Sequence, residues 1–303
     1  SVDGGDYLSA SMTSNGDSTF TGVVPISGGS TVYYYITATD DGADQAEPKT
    51  SVYPYDTDHD QLGFHVTDEL TVENIQETPW PSGNTLYEGC TVTLTGVVTA
   101  DTAQYASSYS SYALQDGDGQ WDGIVFDLPV EATDPVIMTR GDEVTVTGLI
   151  TDNDPDWIFK FGGNTRLINA SVEVGSAVGE PAPAVVSCED VHQIADEVES
   201  YEGVLVQLNN VTISAVNDYD WSITDETGFE ALIDDDMANM FADNMMSLLS
   251  EGEVLHHVKG LFNYSYGTYK VQIRDAGDIG TTMGFDDVST NPYEYALHDN
   301  FPN

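Results

Sequence analysis

Alternating aspartates are the residues in this chain whose type and spacing could do chemistry. Ca²⁺ takes about six to eight hard oxygen ligands, and carboxylates at every second position of a loop can supply several of them. Asp56, Asp58 and Asp60 stand at the first, third and fifth positions of such a loop. Gln61 replaces the glycine, and Thr67 the glutamate, that an EF-hand would need at its sixth and twelfth positions, so the loop is not an EF-hand. Asp116, Asp118 and Asp122 share a second short stretch, and Asp152, Asp154 and Asp156 a third. The expected cofactor is Ca²⁺, held by one of the first two loops. The plain alternative is that aspartate favours turns on its own account.

Other reactive constellations are missing from the sequence. Six histidines occur, and His256 and His257 are adjacent in a strand-like run, where their rings point to opposite faces and cannot share one metal. No HExxH, GxSxG or P-loop pattern is found. The chain is therefore expected not to be an enzyme.

The charge is extreme: 7 Lys and Arg against 52 Asp and Glu give a formal net charge of −45 over 303 residues. Such a surface attracts cations and repels anionic membrane and nucleic acid. Seven basic residues cannot line a phosphate track, so no nucleic-acid partner is expected, despite Tyr105, Tyr109, Tyr112, Tyr264, Tyr266 and Tyr269 as stacking surfaces. Those tyrosines suit sugar rings or a neighbouring subunit instead. A saline source would also explain the acidity. Disorder is disfavoured because 40% of the residues are hydrophobic and recur in strand-like alternation. No apolar run is long enough for a membrane span, and the first residues carry no signal-peptide pattern.

The elements that must position these residues read as β throughout, in two or three modules. Residues 1–66 hold short runs at Tyr7–Met12, Thr19–Pro25, Ser30–Thr39 and Val52–Val66, with turns at Asn15-Gly16-Asp17 and Gly28-Gly29. Residues 67–86 connect to an internal repeat. Tyr87-Glu88-Gly89 recurs as Tyr201-Glu202-Gly203, each copy followed by an alternating strand. Ser111–Asp116 and Gly123–Asp127 match Trp221–Asp225 and Glu230–Asp234, Gly141–Gly148 matches Gly252–Gly260, and the closing strands fall near Trp157–Lys160 and Tyr269–Ile273. Met237 to Leu249 is an insert with helical spacing. Arg140-Gly141-Asp142 falls in a turn and is read as structural.

The first 66 residues resemble the second half of an immunoglobulin-like or fibronectin-III-like module whose first strands are missing. The repeat over residues 87–280 resembles tandem OB-fold barrels of large secreted bacterial proteins, including those attached to extracellular nucleases. The tail Leu297-His298-Asp299-Asn300-Phe301-Pro302-Asn303 resembles the opening of the C-terminal sorting domain of type IX secretion substrates. The expected fold class is all-β, a partial Ig-like sandwich followed by two OB-fold-like β-barrels. The modules are 1–66, a first barrel at 67–180, a second at 181–282 and a linker at 283–303.

The resemblance implies export, either to the medium or to the outer cell surface. Cys90 and Cys188 then either form a disulfide tying the first barrel to the segment entering the second, or remain two buried free thiols. Two functions are expected from different classes. The chain is a structural or assembly protein, a filament, sheath or surface-layer subunit whose partners are copies of itself or other surface components. Alternatively it is an accessory region of a larger secreted nuclease or glycosidase, binding polysaccharide or acting as a spacer. The missing first strands are either donated by a neighbour or simply absent from a fragment.

Overall fold

The computed structural model describes residues 1–2, 5–16, 19–24, 29–40, 48–53, 62–67, 69–78, 83–101, 111–129, 136–152, 164–218, 220–235 and 249–281. Within them the chain is almost entirely β. Strands β1 (Thr13–Ser14), β2 (Phe20–Thr21), β3 (Ser30–Tyr34), β4 (Ile36–Thr39), β5 (Thr50–Tyr53) and β6 (Leu62–Val66) precede one short helix, α1 (Val72–Gln76). The strands pair as three separate antiparallel ribbons, β1 with β2, β3 with β6 and β4 with β5. The run Tyr7–Met12 is not a strand, and its Leu8 is 86% exposed. A two-stranded ribbon cannot bury a core by itself. The β3–β6 ribbon solves this by leaning on the first barrel, where Tyr33 and Phe64 pack against the core and the Tyr87 hydroxyl accepts the His65 N–H at 2.6 Å.

The first barrel is made of β7 (Thr91–Ala100), β8 (Ser111–Gln115), β9 (Gly123–Asp127), β10 (Asp142–Thr151) and β11 (Arg166–Ala177). They close in the order β7-β8-β9-β11-β10, antiparallel except for the parallel β9–β11 pair. This is the strand order of an OB barrel. Alternation drives it: Val92, Leu94 and Val98 of β7 and Val144, Val146 and Ile150 of β10 face inward, while Thr93–Thr147 and Thr95–Thr145 hydroxyls pair across the outer face. Helix α1 plugs this core with Val72 and Ile75. It is fixed by a capping box between Thr71 and Asn74.

The second barrel follows β12 (Ala184–Val185). It comprises β13 (Leu205–Val216), β14 (Trp221–Thr224), β15 (Glu230–Asp234), β16 (Val254–Ser265) and β17 (Thr268–Gln272), with β18 (Ile279–Thr281) added on β16. The ring β13-β14-β15-β17-β16 closes through β13–β16 pairing, again with one parallel pair, β15–β17. Tyr266 and Gly267, both at positive φ, make the tight β16–β17 turn.

The closing strand of the first barrel lies later than the sequence predicts. It is β11, whereas residues 153–163, including Trp157–Lys160, lie outside the described residues. Asn169, at φ 52°, sits beside a register shift opposite Thr147/Leu149 and breaks the period-two pattern that would have marked this strand. The insert Met237–Leu249 is outside the described residues except for Leu249, which is in the second core. The tail from residue 282 onward is also outside them.

Candidate functional site: the junction between the barrels

The repeated Tyr-Glu-Gly triplet builds the place where the two barrels meet. In each copy the glycine has positive φ, 77° at Gly89 and 76° at Gly203, and turns the chain into the first barrel strand. The two glutamates then diverge. Glu88 stays within its own barrel, accepting the Thr151 hydroxyl at 3.1 Å and the Asp152 N–H at 2.7 Å. Glu202 reaches across and accepts the Thr165 N–H of the first barrel at 2.9 Å.

Backbones touch directly here. A Cβ on Gly123 would lie 2.1 Å from the Gly203 carbonyl oxygen, so only glycine fits. Around this contact the Leu205 N–H donates to Gln115 Oε1 at 2.6 Å, and the Trp121 N–H to the Ser200 carbonyl at 2.6 Å. Trp121 holds φ 66°, an uncommon conformation for a bulky residue, and that strain sits at the junction. Asn164 Nδ2 donates to Asn263 Oδ1 and to the Tyr264 carbonyl.

One side of the junction is made of carboxyls. Asp152 accepts the Thr85 N–H at 2.9 Å and the Thr165 hydroxyl at 2.7 Å. Burial pushes its pKa up to about 6 against the pull of these donors, helped by Glu88 and Glu199. Glu199 bonds the Tyr269 hydroxyl, and burial raises its pKa. Glu202 is 4% exposed, and its Oε2 has no hydrogen-bond partner. Its pKa is raised well above the carboxylate range, first by burial and then by Glu199. Arg166 is the cation that opposes this cluster, and it also approaches Asp127 at 3.4 Å.

The other side is ionic. Arg274, 0% exposed in its side chain, binds Asp278 through Nε at 2.9 Å and Glu180 through Nη1 at 2.6 Å. The same Nη1 donates to the Thr99 carbonyl of β7 at 2.6 Å. Arg140 of the first barrel meets Asp275 of the second at 2.6 Å. Burial pushes Asp278 up, but Arg274 more than offsets it and holds the carboxyl below its usual range.

The residues singled out from the sequence take other places. Asp56, Asp58 and Asp60 lie outside the described residues, as do Tyr105, Tyr109, Asp154 and Asp156. Asp116 Oδ2 accepts the Val72 N–H and so caps α1 at 2.7 Å. Asp122 Oδ2 accepts the Gly119 N–H at 2.8 Å, closing the turn that contains Asp118. These carboxylates build a cap and a turn. Among the described residues no three His, Cys, Asp or Glu side chains converge as metal ligands. Cys90 and Cys188 are both free, which corrects the disulfide expectation. Cys188 is buried in the second barrel's own core while Cys90 is exposed before β7, so each thiol is committed to a different barrel. Tyr112 is a core residue stacked on Phe126, not a stacking platform for a ligand. His256 and His257 lie in β16.

OB barrels bind extended ligands on the outer face of their second and third strands. In the first barrel every residue of β8 is buried, and so are four of the five in β9. Gln76 of α1 donates to the Gly123 carbonyl there. In the second barrel Ser222 of β14 and Asp234 of β15 are buried, as are Lys270 and Gln272 of β17, with Lys270 Nζ 2.7 Å from Asp234 and 3.5 Å from Asp220, while Thr224 and Leu232 are half-buried and Glu230 is exposed. A shallow cleft of about 400 Å³ opens at the junction's edge, lined by Gln120, Asp190, His192, Glu197 and Tyr201 among others.

No family model and no curated protein matches the chain. Among solved structures it is similar to the crystal structure of fission yeast Pot1 with single-stranded DNA, at 9% identity and a TM-score of 0.28, covering 69% of this chain and 82% of that one. The finding corrects the expectation on partners. The protein in that structure holds single-stranded DNA, so the exclusion of nucleic acid, drawn from scarce Lys and Arg, is withdrawn. Among the described residues no helix is long and apolar enough to cross a membrane.

Proposed function

We propose that this chain is a non-catalytic structural unit of a secreted or cell-surface protein, of the filament, sheath or surface-layer kind, assembling with copies of itself or other surface components. The observation that carries this reading is the burial of the second-and-third-strand face in the first barrel, joined in the second by buried Ser222 and Asp234. Surfaces that would hold a ligand are instead used inside the chain. The glycine contact and the two-sided polar junction join the barrels directly to one another. The N-terminal ribbons, with Leu8, Phe20, Val23 and Tyr53 exposed, offer edges on which another strand can pair. Intact-mass measurement of the native protein with negative-stain imaging of the same sample tests the reading. Ordered polymers or surface arrays support it. Dispersed particles of a longer chain with hydrolytic activity sink it.

The second reading, an accessory polysaccharide-binding region, is favoured by the cleft beside Tyr201, where His192 stacks on Phe229 at 4.7 Å. Glycan titration monitored at these side chains separates the two.

A further inference from the structure

Three features make the carboxyl side of the junction unlike an ordinary acidic surface. Asp152, Glu199 and Glu202 approach one another from two barrels, and Asp152 and Glu202 are both buried. Glu202 Oε2 is enclosed with no donor facing it, whereas its Oε1 is used by Thr165. The oxygens of Asp152 and both of Glu88 are already accepting hydrogen bonds. A buried carboxylate oxygen without a donor is costly, while a carboxylic acid at the same place supplies its own O–H.

The groups facing this cluster come from every element packed on it. Glu88 precedes β7, Asp152 follows β10, Arg166 begins β11 with Asp127 of β9 behind it, Glu199 and Glu202 precede β13, and Tyr269 belongs to β17. Arg166 is the one cation among them, set against five carboxyls: Glu88, Asp127, Asp152, Glu199 and Glu202. We propose that Asp152, Glu199 and Glu202 form a proton-operated latch between the barrels, closed while the carboxyls keep their protons and released when they lose them, with the Arg274 and Arg140 ion pairs as the hinge that stays engaged. The release breaks the Thr165–Glu202 hydrogen bond and moves the released protons to solvent. The barrels themselves do not unfold.

The direction follows from linkage. Asp152 alone, lifted from 3.8 to about 6, makes the closed junction about a hundredfold less favoured once pH passes from below about 4 to above about 6. Glu202 and Glu199, both raised by burial, act in the same direction.

Site-resolved hydrogen exchange on the full chain tests the latch, with each rate divided by its intrinsic value at the same pH. Protection of the Thr165 N–H is expected to fall about a hundredfold between about pH 4 and pH 7. The Arg274 N–H, bonded to Asp278 at 3.0 Å on the opposite side, should keep its protection throughout. Glu202→Gln retains the acceptor for Thr165 and replaces the acid O–H by an amide donor, so its Thr165 protection should stay high at neutral pH. Should that variant fail to fold, Asp152→Asn is read in the same way and should reduce the pH slope. A flat wild-type profile at Thr165, an unchanged slope in both variants, or parallel loss at Arg274 overturns the proposal.

Discussion

Gly123→Ala tests the barrel junction at its tightest point. The new Cβ would sit 2.1 Å from the Gly203 carbonyl oxygen and 2.5 Å from the Val204 nitrogen, both backbone atoms that cannot rotate away. To reach a tolerable separation beyond 3.0 Å the two barrels must part by about 1 Å. The Leu205–Gln115 bond, now 2.6 Å, would stretch to roughly 3.6 Å, which is no longer a hydrogen bond. Leu205 and Gln115 are each only 1% exposed, so water does not replace it. One or two buried donors left unpaired cost about 1–3 kcal/mol each, and overpacking adds about 1–3 kcal/mol. The expected loss is therefore about 3 kcal/mol or more. Urea unfolding followed by the fluorescence of the four tryptophans reads it. The single transition should weaken or split in two as the barrels uncouple. Gly119→Ala is the control, since its Cβ would meet only Asp122 Oδ2 at 3.4 Å. A Gly123→Ala protein that unfolds within about 0.5 kcal/mol of the parent refutes the close approach and the account of the junction built on it.

Asp152→Asn should stabilise the protein at neutral pH. The raised pKa means that the folded chain binds more protons than the unfolded one between about pH 4 and 6, so stability falls as pH rises through that window. A shift of about two units corresponds to roughly 3 kcal/mol, and the asparagine should recover up to that amount above about pH 6 and none near pH 4, as read by thermal melts at both. Arg274→Met leaves buried Asp278 with Lys259 at 3.5 Å as its remaining cation and should cost about 3 kcal/mol at neutral pH by denaturant titration. Asp278, held low in the folded state, stabilises the parent above the unfolded carboxylate range and loses that contribution as pH falls, so the penalty of Arg274→Met should shrink in acid. Thiol titration of the native protein should find Cys90 reactive and Cys188 reactive only after unfolding. An unreactive Cys90 in unfolded, unreduced protein would mean a disulfide.

Much of the fold was legible because strand alternation is a local property. The duplicated Tyr-Glu-Gly triplet marked both barrel entries, and the pairs Ser111–Asp116 with Gly123–Asp127 and Trp221–Asp225 with Glu230–Asp234 marked their second and third strands. The first barrel's closing strand was not legible, since Asn169 and its register shift interrupt the alternation. The candidate site was legible only as a repeat. Glu88 and Glu202 are the same letter in the same motif, yet one serves its own barrel and the other its neighbour. Asp116 and Asp122 accept backbone N–H groups that cap a helix and close a turn, a use that depends on which segment folds beside them and is not written in their spacing.

The sequence by itself determined the β class, the duplication, the acidity and the scarcity of cations, all of which depend on residue type and period. Only the tertiary structure decided where those few cations lie. Arg140, Arg166 and Arg274 are drawn to the junction and its flanks, and Lys270 to buried Asp234 of the second barrel. The tertiary structure also decided which carboxyls are buried together, and so which ones hold protons. Burial and the approach of distant segments set a carboxyl's pKa, and neither is written in the spacing of the residues along the chain.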